Sequence, residues 1–198
     1  MVVSRETEQK LSSYLALVNK WQPKVNLVGP DTLTDARSRH FDDSAQVAPL
    51  VPATAKTLHD WGSGAGFPGL VLAMLRPDLK VTLVESDQRK CAFLRTVSRE
   101  TKSPVTILDE RIENVPVAAA DVISARALAS LTDLLRLALP WAEANPGLIL
   151  LLPKGENADA EIAAARQKYS FDLVKHPSKI ATGSVILAIT GLCITKAA

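Results

Sequence analysis

The sequence is poor in the residues that build metal centres, disulfide scaffolds and membrane anchors. Its 198 residues include two cysteines, Cys91 and Cys193, and three histidines. The cysteines fall in no CxxC or other metal-ligand spacing, so two buried thiols in a reducing compartment are expected, with no metal site. No uncharged apolar run reaches the roughly 18 residues that a membrane span requires. The opening MVVSRETEQK has no apolar secretory core, and the expected location is therefore the cytoplasm, without a membrane partner. Aromatic residues make up only 5%, too few for the stacking platforms of single-strand-binding proteins. Charge of one sign is also missing: 23 Lys and Arg stand against 21 Asp and Glu, a formal net charge of +2. That balance excludes a histone-like mode of nucleic-acid binding and confines any RNA contact to a local patch; DNA is not an expected partner.

What is present is an ordinary globular composition, 47% hydrophobic and 22% charged, long enough for one domain with a small cap. From Glu6 to Gln22, Leu11, Tyr14, Leu15, Val18 and Trp21 recur at helical spacing, and the helix is expected to stop near Pro23. Thr32-Leu33-Thr34-Asp35 has the Ser/Thr-x-x-acid form that opens a helix, with a basic segment after it. Beyond Ala53 short apolar strands alternate with amphipathic helices, the pattern of a parallel sheet with crossover helices. Strands are expected at Thr57 to Trp61, Val81 to Val84, Val105 to Leu108, Asp121 to Ser124 and Leu148 to Leu152. Helices fit at Gly69 to Leu75, Arg89 to Thr101, Leu128 to Leu139 and Ala158 to Lys168. Two final strands, near Phe171 to Lys175 and Val185 to Ile194, have no helix between them, so the last should run antiparallel. The organisation is thus a helical cap over residues 1–53 and an α/β domain over 54–198, forming one compact unit.

The strongest local signal is Asp60-Trp61-Gly62-Ser63-Gly64-Ala65-Gly66-Phe67-Pro68-Gly69, directly after the first strand. So many glycines in one turn weaken the backbone unless the main chain must approach a ligand. Gly64-x-Gly66-x-x-Gly69 matches the dinucleotide fingerprint, with Glu85 lying 85 − 66 = 19 residues beyond the second glycine. A strand-end carboxylate, Asp60, suits a cationic amino-acid tail better than a pyrophosphate, which favours S-adenosylmethionine over NAD. Glu85 offers two acceptor oxygens to a ribose diol, and Ile112-Glu113 sits where this topology brings loops beside an adenine.

At this point the motifs resemble one family. KWQPKVNLVG, RHFDDS, DWGSGAGFPG, VTLVESDQRKCAFLR, ERIE, VISARALASL and LPKG, in that order, are similar to the RsmG (GidB) family of bacterial 16S rRNA guanine-N7 methyltransferases. RHFDDS, the GFPG extension and SARALASL are the specific part; the glycine loop alone is shared by many methyltransferases. The resemblance implies the class I S-adenosylmethionine-dependent fold, a Rossmann-like, doubly wound, mostly parallel sheet with an antiparallel last strand plus the N-terminal cap. It also implies cofactor contacts at Gly62, Phe67, Ile112, Glu113 and Arg126, with Glu85 as the ribose-side acid; Asp60, Gly64 and Gly66 complete the expected cofactor set.

The expected substrate is 16S rRNA or the small ribosomal subunit, acted on by a monomer. Guanine N7 carries an in-plane lone pair and no proton, so no general base is needed, and no Ser/His/Asp or Cys/His constellation is evident. Catalysis then consists mainly of positioning. Arg126, Arg39 and His40 are the catalytic candidates, through guanine O6, a phosphate or the base. Lys24, Arg37, Arg39, Arg126 and Lys154 form the expected RNA-facing patch. His59 is expected in the core. Methylation of a small metabolite, NAD binding and noncatalytic RNA binding remain as alternative readings.

Overall fold

The computed structural model describes residues 3–195. Helix α1, Arg5–Val25, opens on Ser4, whose hydroxyl accepts the Thr7 N–H at 3.1 Å. It buries Leu11, Tyr14 and Val18 along one stripe. The helix does not stop at Pro23: a proline in the last turn forfeits a single backbone bond, and termination falls to Asn26 in the left-handed region (φ 51°). The Gln22 side chain then satisfies the departing backbone, accepting from Leu27 and Val28 N–H and donating to the Val28 carbonyl.

The helix start expected at Thr32 is also displaced. The Thr32 hydroxyl donates to the Gly29 carbonyl at 2.7 Å and meets His40, so it is not available to cap a helix. Residues Pro30–Thr32 make a 3-10 turn instead, and a π-helical stretch Arg37–Asp42 begins without a side-chain cap and runs into α2, Asp43–Ala45.

The alternating pattern forms as expected. The strands are β1 Thr57–Trp61, β2 Lys80–Val84, β3 Thr106–Leu108, β4 Val122–Ala125, β5 Ile149–Lys154, β6 Tyr169–Pro177 and β7 Val185–Ile194. Between them lie α3 Gly69–Leu75, α4 Gln88–Glu100, α5 Leu131–Ala144 and α6 Ala158–Arg166. The sheet order is β3-β2-β1-β4-β5-β7-β6; the first five strands are parallel, and β7 is antiparallel to both of its neighbours. Helix α5 starts three residues later than the sequence suggests, because Ser130 caps it by accepting the Asp133 N–H. Arg126 to Ser130 therefore form a loop at the end of β4.

Strand alternation sends Leu58 and Asp60 to one face and His59 and Trp61 to the other. On the first face, Leu70, Leu72, Phe93 and Leu94 of α3 and α4 share a core with Leu11, Tyr14 and Val18 of α1. On the second, Trp61 and His59 meet Trp141 of α5 edge to face, at 5.6 and 4.9 Å between centroids. Of the two thiols expected to be buried, only Cys91 is; Cys193 is exposed because β5 pairs with β7 only as far as Ile189, leaving the end of β7 beside β6 alone. Among the described residues no helix is long and apolar enough to cross a membrane.

The opposite end of the sheet from the strand carboxyl termini is tied by Asp121. One carboxylate oxygen accepts from Lys56 N–H, Thr57 N–H and the Thr57 hydroxyl at 2.8, 2.9 and 3.0 Å, and these donors lower its pKa. Asp121→Ala should cost about 1–3 kcal/mol of stability in urea denaturation, by leaving those donors unpaired. Ligand affinity at the far end of the sheet should be unchanged.

Candidate functional site

The carboxyl ends of β1, β2 and β4 open onto a cleft of about 800 Å³. It lies at the crevice between β1 and β4, where the strand order reverses and where ligands of doubly wound sheets bind. One wall is the glycine loop. Gly62 has φ +61°, and a Cβ there would lie 2.4 Å from the Leu128 side chain. Gly69 needs its missing side chain for a different reason: a Cβ would meet Asp60 and Leu83 at 2.7 and 2.5 Å, so only glycine lets α3 start against the sheet.

Asp60 does not reach the cleft. It is fully buried on the α3 face, one oxygen accepting the Ser124 hydroxyl at 2.7 Å and the other the Gly69 N–H at 3.2 Å. Burial pushes its carboxyl up to about 6. It joins β1, β4 and the start of α3, with both oxygens engaged inside the protein and not among the residues that line the cleft. Gly66 is likewise turned inward, toward Leu70 and the Tyr14 hydroxyl, and does not line the cleft. The Tyr14 hydroxyl donates to the Ala65 carbonyl, clamping the loop from below.

The other expected cofactor residues do face the cavity: Gly62, Gly64, Phe67, Glu85, Ile112, Glu113 and Arg126 all line it. Glu85 is held in place, one oxygen accepting the Gly64 N–H and the other the Asp87 N–H, each at 2.8 Å. Each oxygen retains a further lone pair. Ile112 and Glu113 occupy a 3-10 turn after β3 and line the cleft together with Leu128.

Phe67 is the hub of a cluster. Tyr14 and His40 stack on it at 5.2 Å, Phe41 meets its edge at 5.0 Å, and the Arg126 guanidinium lies over the ring at 5.2 Å. Arg126 donates to Asp43 at 3.1 Å, to the Arg39 carbonyl at 3.3 Å and to His40 Nδ1 at 3.2 Å. A guanidinium is only a donor, so Nδ1 accepts and the imidazole proton sits on Nε2, donated to the Thr32 hydroxyl at 2.8 Å. Thr32 passes its own proton to the Gly29 carbonyl, and the chain closes consistently. Burial first, then Arg126 and Arg39, lower the His40 pKa to about 4, which leaves it neutral near pH 7.

The structure does not gather the expected basic patch as free cations. Arg37 pairs with Glu8 at 2.8 Å and Asp42 at 3.7 Å. Lys154, its side chain only 9% exposed, is bound to Glu161 and the Ala129 carbonyl, both at 2.8 Å, and so secures the loop after β4. Lys24 is exposed at the end of α1 but lines neither the cleft nor the groove beside it. Arg39 lines that neighbouring groove, not the cleft itself. The sequence reading missed Asp43, inside RHFDDS, and gave Tyr14 no role beyond the core; only long-range contact reveals either.

Comparison with known proteins places these motifs in context. The model of the family GidB, rRNA small subunit methyltransferase G, matches residues 7–185. A ribosomal RNA small subunit methyltransferase G from Paramagnetospirillum magneticum is 50% identical over 93% of this chain and 89% of its own. One of the same name from Rhizobium rhizogenes is 48% identical over 95% and 94%. Among solved structures, magnesium protoporphyrin IX methyltransferase from Synechocystis, with bound S-adenosylmethionine, superposes with a TM-score of 0.62 over 96% of this chain and 98% of that one. At 14% identity that likeness concerns the fold.

The pKa of His40 predicts a pH effect. Its folded value lies below the ordinary 6.5, so the stability it contributes is complete above pH 6.5 and is lost as pH falls toward about 4. Asp60, raised to about 6 from 3.8, has the opposite slope between those values. The comparison that isolates His40 is therefore wild type against His40→Gln: from pH 6.5 down to about 4 the wild type should lose stability relative to the variant in denaturant titrations.

Proposed function

The chain belongs to the family of rRNA small subunit methyltransferase G, and on that premise we propose that it methylates N7 of a guanine in a conserved loop of 16S rRNA, with S-adenosylmethionine as donor. The observation that carries this reading is the cleft at the β1/β4 crevice, with Glu85 fixed across the glycine loop and Arg126 locked at its rim. The residues present fit the donor. Glu85 has lone pairs for a ribose diol, Gly62 and Gly64 expose backbone, Ile112 and Leu128 offer apolar faces to a purine, and Phe67 and Arg126 line the same cavity. In this reading residues 1–53 are a cap on the domain at 54–198, and the chain acts in the bacterial cytoplasm as a monomer.

When bound, S-adenosylmethionine supplies an electrophilic methyl group to a lone pair. The protein's part is placement and charge. A guanidinium has five N–H donors, and three of those on Arg126 are held by Asp43, Arg39 and His40, which leaves two for guanine O6 or a phosphate oxygen. Positive charge develops on the guanine ring during methylation, so a nearby uncompensated cation would oppose the reaction. Asp43 compensates Arg126, and neutral His40 adds no charge. No residue is required to remove a proton. Holding the acceptor in a near-attack position can supply up to about 7–11 kcal/mol of the barrier.

The direct test is to incubate the protein with labelled S-adenosylmethionine and unmethylated small subunits or free 16S rRNA, and to map 7-methylguanine by chemical cleavage. Label at one loop guanine is expected; label at another atom, or on small acceptors with rRNA untouched, would overturn the proposal. Gly62→Ala should abolish binding of S-adenosylhomocysteine in calorimetry with the circular dichroism spectrum intact, since the new Cβ displaces Leu128 at the cleft wall. Arg126→Ala should lower methyl transfer by about 100-fold or more, while unfolding free energy falls by only about 1–3 kcal/mol.

A further inference from the structure

A second cleft, of about 870 Å³, lies on the other side of Arg126 and shares Arg126, Ala127 and Ala129 with the first. Another large groove, of about 1000 Å³ beneath the start of α1, shares no residue with either. In-line transfer requires the acceptor atom within about 3–3.5 Å of the methyl group, so the acceptor must occupy space contiguous with the donor's cleft. We propose that this second cleft, between the Arg39 to Gln46 segment and the loop joining β6 to β7, seats the extruded target nucleotide of the RNA. The proposal rests on the reading of the first cleft as the donor site.

The cleft is built by an uninterrupted set of hydrogen bonds. Asp43 accepts from Arg126 with one oxygen and from Gln46 Nε2 with the other, at 3.1 and 2.7 Å. Gln46 in turn donates to the Ser178 hydroxyl at 3.1 Å and accepts the Lys179 N–H at 3.0 Å. Within the loop, Ser178 Oγ accepts from Ile180 and Ala181 N–H, and Ser178 N–H bonds the Ser184 carbonyl. Arg126 and the β6 to β7 loop are thereby held at a set separation from the N-terminal segment.

The lining has the chemistry of a nucleotide seat. Ile180, 38% exposed, presents an apolar face to a base. The Arg39 guanidinium and Asp35 carboxylate have no ion pair among the described residues. Arg39 suits a backbone phosphate, and Asp35 favours the positive charge that a purine gains on methylation. The cleft is large enough to admit a base.

Thr182 stands exposed at the loop tip and lines the cleft, so Thr182→Trp fills the seat without touching the core. Three quantities are read: S-adenosylhomocysteine affinity by calorimetry, affinity for unmethylated small subunits by filter binding without cofactor, and methyl transfer. Thr182→Trp should bind S-adenosylhomocysteine as the wild type does, bind particles more weakly and transfer about 100-fold more slowly. Ile180→Asp should weaken particle binding by repelling phosphate. Pro104→Trp, in the groove beneath α1, should change none of the three. Normal transfer by Thr182→Trp, or loss of transfer only in step with lost S-adenosylhomocysteine affinity, would overturn the seat. A wild-type protein that leaves rRNA unmethylated would instead overturn the function proposed above.

Discussion

The buried carboxylate of Asp60 is the constraint on which the cleft depends. It lies at the crevice between β1 and β4, and its two oxygens hold Ser124 of β4 and the first N–H of α3. It adds a side-chain tie to the backbone pairing of β1 and β4 and anchors the glycine loop at its downstream end. Gly69 must be glycine because the carboxylate occupies the space of a side chain. A charge so deeply buried is costly unless hydrogen-bonded, which is why Ser124 and Gly69 belong to the same unit. Tyr14 fixes the loop at its middle through the Ala65 carbonyl, so the segment is held from two sides before any ligand arrives.

The N-terminal segment is built into the rim of the cleft. Tyr14, Arg39, His40 and Asp43 all come from it, and three of them hold Arg126, a residue of the sheet domain, by its guanidinium. An arginine free in solution would approach a base as a mobile cation. Here it is oriented over Phe67, compensated by Asp43 and flanked by a neutral imidazole, so it offers direction without excess charge. Acids stand beside other bases as well, Glu8 and Asp42 beside Arg37 and Glu161 beside Lys154.

The parallel strands and α3 were legible because apolar runs and glycine punctuation are local properties. The boundaries that moved, at Pro23, Thr32 and the start of α5, did so where a side chain found a partner beyond its own turn: Gln22 with Val28, Thr32 with His40 and Gly29, Ser130 with Asp133. The cavity-lining residues were legible through motif positions at strand ends. The burial of Asp60 and the inward turn of Gly66 were not legible, because spacing does not tell which face of a strand or turn packs against the core.

The sequence by itself determined the doubly wound sheet, the glycine loop after the first strand and the family to which the motifs point. These follow from periodicity and residue type, which act over a few neighbours. Only the tertiary structure decided that Asp60 supports the cleft from beneath, that Lys154 is paired with Glu161, and that Asp43 and His40 hold Arg126 across more than 80 residues of chain. Those facts arise from packing of elements distant in sequence, where direction, burial and partner choice are set by the folded chain as a whole.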